Sequence, residues 1–115
     1  MVFLLDFRMK SKALVLKQKG KSNHAFELQD IDLPALKQDE VMIESESFGL
    51  NYADVMARNG QYKDAPPMPC VIGYEAVGVI VEVGSQVDQK MMGQRVLAFC
   101  RFGGYGRHII TKSEA

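Results

Sequence analysis

The chain has 115 residues, 47% of them hydrophobic, and 14 basic residues balance 14 acidic ones. That length holds one core rather than two, and a neutral total with neither sign gathered in a block argues against a nucleic-acid binder or a protein built for anionic membranes. No apolar run nears the roughly 20 residues that a membrane span needs. Cys70 and Cys100 form no CxxC pair. That argues against a disulfide framework or a zinc knuckle and suits a reducing cytoplasm.

Residues 1–9 read as a flexible leader. The apolar part of "MVFLLDFR" is too short for a signal peptide, an acid interrupts it, and no small-residue cleavage site follows. Six segments rich in β-branched residues and bounded by turn residues then read as strands: 12–16, 25–31, 40–47, 76–84, 95–99 and 105–111. In "EVMIESES", Val41, Ile43 and Ser45 alternate with Met42, Glu44 and Glu46, the period of a half-buried strand. "VGVIVEV" is almost continuously apolar, so both its faces are expected to be covered. Many short strands with turn punctuation predict a mainly β fold, a small barrel or sandwich.

One segment has helical spacing. In "FGLNYADVMARNGQY" (48–62), Tyr52, Val55 and Met56 fall on one face, which is expected to pack inward. Asn51 suits the N-cap, Asp54 the first turn, and Gly60 a left-handed stop. The helix is about two turns long and needs tertiary packing to persist. The prolines of "KDAPPMPCVIG" make the next stretch an extended loop. On residue types alone, Asn51 and Asp54 can be caps or polar groups on a site wall, and Tyr62 an ordinary loop aromatic.

Two site types fit poorly. "GGYGRH" (103–108) echoes a dinucleotide fingerprint but lacks its third glycine and has no room for a following helix. It reads as a glycine-rich hairpin entering the last strand. A catalytic zinc needs three protein ligands, and His24, His108, Cys70 and Cys100 show no spacing that draws them together. No metal site is predicted.

Taken together, "GLNYADVMARNGQY", "PCVIGYEAVGVIVEVGSQV", "GQRVLAF" and "GGYGRHII" resemble the N-terminal, GroES-like catalytic domain of medium-chain dehydrogenase/reductases. The similarity is greatest to the zinc-independent quinone oxidoreductases, including the VAT-1-like branch. It implies a partly open GroES-like β-barrel with one or more short helices over residues 10–115. The Rossmann domain, with its glycine fingerprint, would lie outside this chain. Asn51 stands where zinc-dependent members carry a cysteine ligand, and Tyr74 of "GYE" where they carry a histidine.

The resemblance further implies an NADPH-dependent oxidoreductase that reduces a small quinone or enone without zinc, as a cytoplasmic homodimer with the complete chain active and this segment alone inactive. Asn51 and Tyr62 are the catalytic candidates, as donors that orient the substrate and polarise its carbonyl. Asn51 and Tyr52 would meet the cofactor, and Asp54, Met56 and Tyr62 the substrate. Asp54 is expected to fix the helix start rather than transfer a proton. The competing implication is a non-enzymatic VAT-1-like adaptor that uses the same barrel to hold a partner.

Overall fold

A computed structural model describes residues 9–114. The leader expected at the N-terminus therefore lies outside the described residues, except for Met9, which opens the first strand opposite Leu33. The elements in order are β1 (Met9–Leu16), α1 (Ser22–Ala25), β2 (Phe26–Leu33), β3 (Glu40–Phe48), α2 (Tyr52–Arg58), β4 (Glu75–Val83), a 3-10 turn (Gln89–Met91), β5 (Arg95–Phe99) and β6 (His108–Lys112). The fold is mainly β, and the six predicted strands all form.

Two antiparallel sheets result. β1 and β2 form a ribbon, and the second sheet runs β5-β4-β3-β6. They do not close into a barrel; backbone bonds stitch them instead. Leu14 N–H donates to Tyr105 C=O (3.0 Å), Arg107 N–H to Lys12 C=O (2.8 Å), and Ser45 N–H to Arg107 C=O (2.8 Å). Farther along the same edge of β1, Leu16 and Cys70 exchange both backbone bonds. This is the partly open barrel that the family resemblance implied.

The "GGYGRH" segment is not a hairpin. β5 and β6 lie at opposite edges of the sheet, so this segment is a crossover that packs on Gly73 and bridges to Ala13. A Cβ at Gly104 would press on the Gly73 backbone. The glycines serve this close backbone approach, not a two-residue turn.

Two strands depart from their expected periods. In β3, Val41, Met42 and Ile43 are all buried, so both faces of the strand are covered there; the register shift beside Met42 and Ile43 puts the extra residue, Val81, on β4. β4 was expected to be covered on both faces and is not. Ala76, Gly78 and Ile80 face the core, Val77 and Val79 are half-buried, and Val81 is exposed. Gly78 lets β3 come close, because a Cβ there would collide with the Glu44 carbonyl.

There are two apolar clusters. One lies against the large sheet around Ile43, Ile80, Ala98, Cys100 and Ile109. The other gathers Leu16, Ala25, Ala57, Ile72 and Tyr105 where the ribbon meets α2 and the 62–72 loop. The second cluster holds α2 in place.

Candidate functional site

α2 begins and ends as its residues dictate. Asn51 is extended at the N-cap, and its N–H donates to Asp54 Oδ2 at 3.0 Å while Asp54 N–H donates to the Asn51 carbonyl at 3.0 Å. Asp54 thus supplies the carboxylate side of a capping box. Gly60 adopts φ 73° and ends the helix.

The helix faces the opposite way from its apolar stripe. Tyr52 is 78% exposed and Val55 is exposed as well, whereas Asp54 and Ala57 are buried. Ala57 is the side chain small enough for close contact with the second cluster, and Asp54 is drawn inward by its cap bond. The Tyr52–Val55 stripe is therefore left on the outer surface beside Leu50, which is 79% exposed.

Beside α2 lies an open groove of about 410 Å³. Its walls are mostly apolar (Leu14, Phe26, Phe48, Leu50, Val55) and also carry Asn51, Asp54, Arg58 and Tyr105. Pockets of this size and mixed lining are where small molecules commonly bind. Buried polar atoms cluster here without partners among the described residues: Asn51 Nδ2, Asp54 Oδ1 and Arg58 Nε. Such atoms are costly unless something satisfies them.

Asn51 and Asp54 both line this groove; Tyr52, Met56 and Tyr62 do not. Met56 is half-buried. Tyr62 is half-buried in the loop after α2, its ring edge-on to Tyr74 at 6.1 Å, and Tyr74 in turn meets Phe102 at 5.5 Å. Burial, followed by the neighbouring Tyr62 phenol and the Asp54 carboxylate, pushes the Tyr74 phenol well above its ordinary value. Tyr105 is shifted the same way, first by burial and then by Asp54. Both phenols stay neutral donors at any physiological pH.

Arg58, Tyr105, Phe48 and Leu14 were missed as groove residues. Arg58 lies one turn after Asp54, a spacing that could have drawn attention to it. Leu14 and Tyr105 come from distant segments, and Phe48, although it opens the same stretch as Asn51, is the last residue of β3; none of the three carries a local signal.

No three His, Cys, Asp or Glu side chains are grouped among the described residues. His108 is held at a sheet seam, with Nδ1 and Ser11 Oγ hydrogen-bonded at 2.7 Å, and His24 is exposed. Burial raises both thiols, which makes them poor nucleophiles.

Comparison with known proteins agrees with this architecture. Residues 37–113 match the family model of the alcohol dehydrogenase GroES-like domain. The chain belongs to that family. The GroES-like domain is 41% identical over 80 residues to the synaptic vesicle membrane protein VAT-1 homolog of Danio rerio, covering 70% of this chain and 16% of that one. It is 31% identical over 87 residues to quinone oxidoreductase-like protein 2 of Mus musculus, covering 76% and 25%. Among solved structures, a human VAT-1 homolog-like protein superposes with a TM-score of 0.85 at 30% identity, over 92% of this chain and 34% of that one. Escherichia coli quinone oxidoreductase complexed with NADPH shares the fold, with a TM-score of 0.73 at 24% identity over 90% and 31%. The chain spans about a quarter or less of the length of these curated relatives.

Proposed function

We propose that this GroES-like domain is the substrate-binding half of an NADPH-dependent oxidoreductase that reduces a quinone or an enone without zinc. One observation carries the reading: the Asn51 amide nitrogen, buried and without a partner among the described residues, belongs to a residue on the wall of a mostly apolar groove in a member of this family. A carbonyl oxygen is the group such a donor suits, and negative charge builds on that oxygen as hydride arrives at the ring or β-carbon.

Asn51 donates through its amide and Tyr62 through its phenol. The edge-on contact with Tyr74 limits where the Tyr62 hydroxyl can go, which supports a positioned donor. Asp54 holds the start of α2 and with it the Asn51 backbone. The exposed Tyr52 ring and the Asn51 amide suit a nicotinamide approaching the start of α2. NADPH, when bound, supplies the hydride. An amide at position 51 and a neutral phenol at 74 are poor ligands for zinc, which supports a reaction whose charge is stabilised by hydrogen bonds.

In this reading Met56 borders the substrate, the intact protein is a cytoplasmic homodimer, and a nucleotide-binding domain outside this chain completes the cleft. The VAT-1 homologs among its relatives favour a second reading, an adaptor that holds a partner without turnover.

The test is NADPH oxidation by the polypeptide as encoded, including whatever follows Ala115, against a panel of quinones and enones. Turnover with any member supports the reductase. No turnover with the whole panel, in a protein that binds NADPH, would favour the adaptor.

A further inference from the structure

The groove beside α2 does not end at Tyr105. A second trough of about 280 Å³ shares Leu14, Phe48 and Tyr105 with it and continues past Ser47 to Leu28. β6 pairs with β3 as far as Glu44, and the Ser45 N–H still donates to Arg107, so it is the 46–48 end of β3 that lacks a partner on this edge and opens onto the trough. Along the joined path, Leu28 is 61% exposed, Phe48 40% and Leu50 79%. Exposed apolar residues joined along one groove are a common mark of a binding site. Its two ends differ in chemistry. At one lie Asn51 and Asp54, the latter only 5% exposed and with Oδ1 unpartnered among the described residues; at the other lies Leu28, with Lys12, Glu46 and Arg107 along the rim.

We propose that the substrate is an amphiphile: a quinone head at Asn51 and Asp54 that carries an unbranched apolar tail along Tyr105, Phe48 and Leu14 to Leu28. The head meets a donor at Asn51 Nδ2, and its reduced hydroxyl meets an acceptor at Asp54 Oδ1. The tail covers the exposed track. This rests on the reading that Asn51 faces the substrate carbonyl.

The test compares 2,3-dimethoxy-5-methyl-1,4-benzoquinone without a tail and with a decyl tail, titrated into the 115-residue chain and followed by amide chemical shifts. A Cys70→Ser background prevents thiol addition to the ring. Both ligands should shift Asn51 and its neighbours, and the tail should add shifts at Leu28, Ser47 and Phe48. Affinity should rise about fourfold per buried methylene. Leu28→Glu, at an exposed position that does not threaten folding, should shrink the gain that the tail provides. Equal affinities, or a gain undiminished in Leu28→Glu, would overturn the amphiphile while leaving a carbonyl at Asn51. If neither ligand shifts Asn51, the carbonyl reading falls and the amphiphile with it.

Discussion

Asp54 joins two jobs that residue types alone could not separate. It accepts the Asn51 N–H and so caps α2, yet it is buried on the groove wall with Oδ1 unpartnered among the described residues. Asp54→Ala should therefore destabilise the domain by about 0.5–2 kcal/mol from the cap, read by chemical denaturation. Tyr74 and Tyr105 make a second residue-scale case. Their folded-state values lie above the unfolded one, so their contribution is complete below about pH 10 and lost as pH climbs toward the folded values. Stability should decline in that alkaline range, and Tyr105→Phe should flatten the decline. The thiols follow the same physics: Cys100, buried in the core, should resist a disulfide-exchange reagent until the protein unfolds, and Cys70 should react slowly.

At the scale of elements, what was legible was local. The run "RVLAF" became β5 at the residues expected, and Asn51 and Gly60 bound α2 at the expected positions. What was not legible depends on packing. Tyr52, Val55 and Met56 form a helical stripe, but Ala57 and the capping Asp54 decide which side faces the core. Likewise an apolar run in β4 says nothing of which neighbours cover it, and no local period tells that β6 pairs with β3. Gly78 shows how tightly the β3–β4 approach is set. Gly78→Ala should cost about 1–3 kcal/mol or more, seen as a lowered Tm, because the new methyl meets backbone that cannot swing aside. Tyr52→Lys, by contrast, should leave stability within about 0.5 kcal/mol, since its ring is on the surface.

At the scale of the whole molecule, two sheets joined by a few backbone bonds leave a trough between the ribbon and β3, and α2 sets a polar end on it. Family membership was readable because several motifs recur in order. The groove was not, because Leu14, Phe48, Asn51, Arg58 and Tyr105 are brought together only by the fold. The central claim is that the Asn51 amide stabilises charge on a substrate carbonyl. Turnover of Asn51→Ala in the polypeptide as encoded, with folding checked alongside, tests it most directly. Loss of one such donor predicts a kcat lower by about 10²–10³-fold with a far smaller change in stability. A folded Asn51→Ala protein that turns over at the parent rate would contradict the claim and leave Asn51 a helix cap.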